Sequence, residues 1–252
     1  MGSADFDKLD DETFDVVFAT DLVYQADCWK LCGDGHCCHF SRYKKNSSEQ
    51  DYQSLPLLAG EYEYMKRRGY LQQYSEMELQ RTSIDVEDGE WNIDMLRVRV
   101  DASCPCDHNL RPTVCRIYPL WPIFSAQQGL VGISTSPSQF EVMEKLGGLE
   151  SACKVSGTSF AEFQKFLAIC TAISANPRVM FSVMMMGLCR DLFEEKLHTT
   201  MQTHKVNMFQ AMAMQVKENA FVDEAECSRQ TSAMVSEFKT KFGSRFSLTP
   251  SS

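Results

Sequence analysis

The sequence predicts an α+β fold, mostly helical. An irregular cysteine-rich metal-binding core and a small antiparallel β element come first, and a C-terminal helical bundle follows. Three observations carry this expectation. Four cysteines crowd into "CWKLCGDGHCC" (28–38) and three more into "CPCDHNLRPTVC" (104–115). Apolar and polar residues alternate through "WNIDMLRVRV" (91–100), the period of a strand. From residue 158 onward apolar residues recur at helical spacing instead.

The chain divides by texture into an acidic lead-in (1–27), a cysteine-cluster region (28–157), a helical region packed on it (158–243) and a flexible tail (244–252). In the second part, "LPLLAGEYEYMKRRGY" reads as a turn into a short amphipathic helix from about Ala59. Leu57, Leu58, Tyr62 and Met65 would face inward and Gly69 would stop it. The alternating stretch is a strand ending at Cys104, with Ile93, Met95, Val98 and Val100 as its apolar positions. "GLVGISTSP" (129–137) is a second strand, expected to pair with the first. Pro105, Pro112, Pro119 and Pro122 keep the chain between them irregular.

The helical region opens at Ser159, which with Glu162 forms a capping box. Phe160, Phe163, Phe166, Leu167, Cys170 and Ile173 then repeat at helical intervals. Asn176 followed by Pro177 starts the next helix, apolar nearly all round to Leu188 and amphipathic toward Leu197. Two more helices are expected at about 205–219 and 223–242, the second stopped by Gly243.

Composition narrows the function. Of 252 residues 44% are hydrophobic, enough to bury a core without disulfide staples, so the 11 cysteines need another reason. Their odd number precludes complete pairing. The start, "MGSADFDKLDDETFD", is acidic and has no apolar segment of a secretory signal, so a cytoplasmic or comparably reducing location is expected. There, clustered cysteines hold metal or do chemistry more often than they form disulfides. A net charge of −9 argues against a nucleic-acid partner. The longest apolar stretch, residues 179–189, is too short to cross a membrane, so a soluble chain is expected.

The first cysteine set is Cys28, Cys32, Cys37 and Cys38; the second is Cys104, Cys106 and Cys115, with Cys153 the nearest later candidate. Several thiolates must converge on one ion at about 2.3 Å. Gly33 and Gly35 give the first loop the backbone freedom to turn Cys32 and Cys37 toward one point. Adjacent Cys37 and Cys38 point apart, so either each serves its own site or both bind one cluster of several metal atoms. Free buried thiols, a Cys104/Cys106 redox dithiol and a Cys37–Cys38 disulfide are weaker alternatives. Spacing does not separate zinc from an iron–sulfur cluster, although the adjacent pair tilts the reading toward the cluster.

In this order, "CWKLCGDGHCC", "LPLLAGEYEY" and "CPCDHNLRPTVCRIYPL" resemble a cysteine-cluster family of zinc- or iron-chelating proteins, over about residues 28–153. The resemblance implies that Cys28, Cys32, Cys37, Cys38, Cys104, Cys106 and Cys115 are ligands, with Cys153 as an eighth. The Cys32–Cys37 interval is longer and "CPCDHN" tighter than the family's spacing, which leaves the partition of ligands open. Distantly similar proteins include flagellin lysine methylase, which implies methyl transfer to a protein as one possible activity.

Flanking residues have two readings each. Glu61 matches the family's glutamate, as ligand or as acceptor behind a ligand; it also suits the first turn of a helix. Arg111 and Arg116 beside Cys115 could steady thiolate charge or receive an anionic ligand, or form structural salt bridges. His36, His39 and His108 read as hydrogen-bonding neighbours of the cysteines. Cys170, Cys189, Cys227 and the methionines at 180 and 184–186 read as core, and His198 and His204 as surface. The functional expectation is a metal-binding protein holding an iron–sulfur cluster or Zn2+, with a redox or structural role. The alternatives are a metal-dependent enzyme acting on a protein or small molecule, and a zinc-knotted scaffold for a protein partner.

Overall fold

The computed structural model describes residues 3–23, 52–87, 89–99, 108–135, 158–218 and 220–248. The fold is α+β and mostly helical, with two small antiparallel sheets. The acidic stretch expected as a lead-in contains helix α1 (Ser3–Ala19), which belongs to the core. Phe6, Asp10, Thr13, Phe14 and Val17 fall on one helical stripe, and all five are buried. Two polar members in that stripe hide its period from a reading based on composition. Burying Phe14 alone is worth about 1.5–3 kcal/mol.

The acid in the middle of the stripe has partners. Asp10 accepts from Asn176 Nδ2 at 2.8 Å and pairs with Arg178 at 3.1 Å, and the Arg178 guanidinium lies 5.3 Å from the Phe6 ring centroid. Asn176 also caps helix α5 (Pro177–His204) by accepting from the Arg178 and Val179 amides. Helix α4 (Phe160–Ala175) ends there, and its axis and that of α5 diverge by 111°. One buried network thus fixes α1 against the corner between two other helices.

Sheet order is β1–β3–β2, from β1 (Tyr52–Leu57), β2 (Met77–Val86) and β3 (Gly89–Arg99). Leu96 and Val98 of β3 are buried on one face, whereas Trp91, of opposite parity, is buried edge-on against Phe181 of α5 at 4.6 Å. The two faces of β3 are therefore covered at different ends, and a single alternation does not describe it: Ile93 and Met95 are half-buried. Cross-strand pairs fill the exposed positions, among them Arg81–Asp94, Arg97–Glu78 and Arg99–Glu76. Each contributes about 0.2–1 kcal/mol.

The strand at residues 129–137 does not pair with β3. Its observed part, β5 (Gly129–Thr135), pairs with β4 (Leu120–Ser125) inside the proline-punctuated segment. The three-residue turn between them (126–128) leads into Gly129, whose φ of 73° favours glycine, and this local closure outcompetes the distant strand. Pro122 is accommodated because both strands of a two-stranded sheet are edges. Helix α2 (Glu61–Arg67) starts two residues after Ala59, and Tyr64 rather than Tyr62 is its buried ring. Helix α3 is one turn, Thr113–Ile117.

The C-terminal helices follow the expectation. Ser159 Oγ accepts from the Glu162 amide, α6 spans Met208–Glu218, and α7 (Glu224–Phe242) stops at Gly243. Beyond Gly243, Phe246 and Leu248 are buried, and Phe246 packs on Phe181 and Phe238, each at 5.1 Å. Among the described residues no single helix is long and apolar enough to cross a membrane.

Burial, its largest influence, pushes the Asp10 carboxyl up from 3.8 to about 6, against the pull of Arg178 and Asn176. A carboxyl raised in the folded state contributes stability that is present below pH 3.8 and lost as pH rises through about 6. We therefore expect the wild type to lose about 2 kcal/mol relative to Asp10→Asn between pH 4 and pH 7. Urea unfolding of both chains across that range measures it, and a flat difference would mean that Arg178 holds Asp10 ionised throughout.

Candidate functional site

Gly60, with a φ of 81°, turns the chain from β1 into α2 and sets Glu61 at the first helical position. The Glu61 side chain is fully buried, and it points back across the turn instead of into solvent. Its Oε2 accepts from the Leu58 amide at 2.9 Å. Its Oε1 accepts from the Thr113 amide at 2.5 Å and the Thr113 hydroxyl at 2.6 Å. Both carboxylate oxygens are engaged, and the residue joins the β1–α2 turn to the start of α3. Burial pushes its carboxyl above the ordinary range, opposed by these donors and by the Arg116 charge.

Helix α3 carries Cys115, half-buried at the edge of the main core, and Arg116, only 4% exposed. Arg116 is a fastener of backbone. Its Nη1 donates to the Asn109 carbonyl at 2.8 Å, and its Nη2 donates to the carbonyls of Phe18 and Thr20, each at 3.0 Å. Its guanidinium also stacks 5.0 Å from the Phe18 ring centroid. Burial lowers its basicity, and the nearby Arg111 charge adds to that effect. Arg111 is half-buried beside Pro112.

The candidate residues thus separate into two groups. Glu61, Arg116 and Cys115 are brought together around α3, with Arg111 at its entrance. Cys28, Cys32, Cys37, Cys38, Cys104, Cys106 and Cys153, with His36 and His39, lie outside the described residues. Among the described residues no group of three or more His, Cys, Asp or Glu could hold a metal ion. Thr113 was not singled out in the sequence; its position before "VCR" gives no sign that it answers a glutamate 52 residues earlier. Cys170 is fully buried, and burial pushes its thiol up to about 12, as befits a core residue. Met180 and Met185 are buried in the core, and His198 and His204 are exposed, as expected.

Set against models of protein families, curated proteins and solved structures, the chain matches none.

Glu61→Gln would turn an amide N–H toward a buried donor on one side of the residue. It is expected to destabilise the fold by about 2–3 kcal/mol in urea unfolding, and an unchanged midpoint would contradict the structural role. Gly60→Ala is expected to cost more than Gly69→Ala, although both glycines have positive φ. Only at Gly60 would the added Cβ run into the Asp10 side chain; at Gly69 the nearest atom is 3.6 Å away. Equal unfolding midpoints for the two variants would contradict this.

Proposed function

We propose that this chain is a metal-binding protein that holds an iron–sulfur cluster or Zn2+ through its two cysteine sets, with a redox or structural role. The observation that carries the reading is the position of Cys115. It sits on a one-turn helix whose next residue, Arg116, binds the chain just ahead of the first cysteine set, at Phe18 and Thr20. The same side chain binds just after Cys104 and Cys106, at Asn109. The register of the sheet adds a second junction: Tyr52, past the first set, lies opposite Arg99, ahead of the second. Segments far apart in sequence that carry soft ligands therefore have neighbouring anchor points.

Thiolate-rich ligation suits zinc and iron–sulfur clusters, and the seven cysteines of the two compact sets, with Cys153, supply enough sulfur for either. An open catalytic site completed by Glu61 is disfavoured, because both of its oxygens already accept hydrogen bonds from protein donors. That shifts weight from a metal-dependent enzyme toward a site closed by cysteines, and a reducing compartment is the setting that keeps such thiols available.

The test is metal and acid-labile sulfide content of the full chain purified without oxygen. Cys32→Ala and Cys115→Ala should each lose most of the bound metal, whereas Cys170→Ala, a core substitution, should retain it. Metal content unchanged in both ligand variants would overturn the proposal.

A further inference from the structure

The three-stranded sheet has two unequal edges. β1 is short and contains Pro56, which has no amide hydrogen to offer a further strand. β2 is longer, exposed at Met77, Glu78 and from Gln80 to Ser83, with Leu79 half-buried. Successive residues of a strand aim their backbone groups to opposite sides, and two contacts fix which side is which. The Arg99 amide donates to the Glu76 carbonyl at 3.1 Å, so even-numbered residues of β2 face β3. The Ser228 hydroxyl of α7 donates to the Asp85 carbonyl at 2.6 Å, so odd-numbered residues face outward.

Helix α7 closes that outward edge at one end only. Ser228 takes the Asp85 carbonyl, and the Ser232 hydroxyl accepts from the Glu87 amide at 3.1 Å. Among the described residues nothing bonds to the outward backbone groups of Met77, Leu79, Arg81 and Ser83. Open backbone of this kind is a template for a further extended strand. The charged side chains beside it are already neutralised within the chain, Arg81 by Asp94 and Glu78 by Arg97, so they do not repel an incoming strand. Met77, 43% exposed, and Leu79 add an apolar margin on the face that holds the buried Leu96 and Val98.

We propose that the strand added there is β2 of a second copy of this chain. The two pair antiparallel about a twofold axis at Gln80, joining two three-stranded sheets into one. β2 is self-complementary in this register. Met77 and Leu79 exchange backbone bonds with the partner's Ser83 and the partner's Arg81, so every outward residue is used on both copies. Glu78 lies opposite the partner's Thr82, and the two Gln80 amides meet on the axis, where each can donate to the other. The two Leu79 side chains lie diagonally across the axis on the opposite face. Other registers lose something. An axis at Arg81 sets two guanidiniums opposite one another, and an axis at Glu78 does the same with two carboxylates. An axis at Leu79 leaves Ser83 beyond the partner strand, and one at Thr82 calls on the Asp85 carbonyl that α7 already holds.

The test is the mass of the full chain in solution, measured by analytical ultracentrifugation over a concentration series at low ionic strength with dithiothreitol present. The mass should climb from one chain to two, and hydrogen exchange at the amides of Met77, Leu79, Arg81 and Ser83 should slow as concentration rises. Gln80→Glu and Gln80→Lys each set like charges on the axis, so each should move the monomer–dimer midpoint to higher concentration. Mixing the two variants should move it back, because the charges on the axis then attract. Ser83→Pro removes an outward amide hydrogen that the single chain does not use, and it should weaken the dimer too. A chain of single mass at every concentration would overturn the proposal and assign the edge to an extended segment of another protein. Dimers that neither Gln80 variant weakens would overturn it equally.

Discussion

Burying an ionisable carboxyl without partners costs several kcal/mol, and the way Glu61 meets that cost organises its surroundings. Three donors must converge on it, and they come from two places: the Leu58 amide within its own turn, and the Thr113 amide and hydroxyl at the start of α3. Satisfying the acid therefore requires α3 to sit where it does. That placement in turn aims Arg116 at the carbonyls of Phe18, Thr20 and Asn109, and sets Cys115 at the rim of the core. Phe18, Thr20 and Asn109, distant in sequence, are thereby tied together through one guanidinium.

The same device recurs at Asp10, where a buried acid meets Arg178 and Asn176 and fixes α1 to the α4–α5 corner. The two acids are close neighbours through Gly60, whose missing side chain leaves room for the Asp10 carboxylate. Removing one partner of such a pair costs about 3–5 kcal/mol, since the other charge is left buried. In a fold whose sheets are small, these acids help specify which elements meet.

Helix starts and stops were legible because their chemistry is local. Ser159, Asn176 with Pro177, and Gly243 each act within a few residues, and each does in the structure what its type implies. Even there, half of one motif is redirected. The Glu162 carboxylate accepts from Val23 and Lys165, a tertiary use that local spacing does not reveal. β1, β2 and β4 were illegible for physical reasons. β2 is exposed along most of its length and so carries no alternation, and Pro56 and Pro122 are tolerated on edge strands but read as breakers. Of the candidate site, the clustering of cysteines and the prominence of Glu61 and Arg116 were visible in the sequence. Their buried roles were not, because the partners Thr113, Phe18 and Asn109 have no signature of their own.

The cysteine sets give this scaffold its proposed purpose. A frame anchored on both sides of each set can present thiolates to one ion or cluster without ordering the whole chain anew. X-ray absorption at the iron and zinc edges, on full-length chain purified without oxygen, tests that claim most directly. The account predicts a bound metal whose first shell is dominated by sulfur at about 2.3 Å. A shell of nitrogen and oxygen alone, or folded protein with no edge signal at either metal, would contradict it.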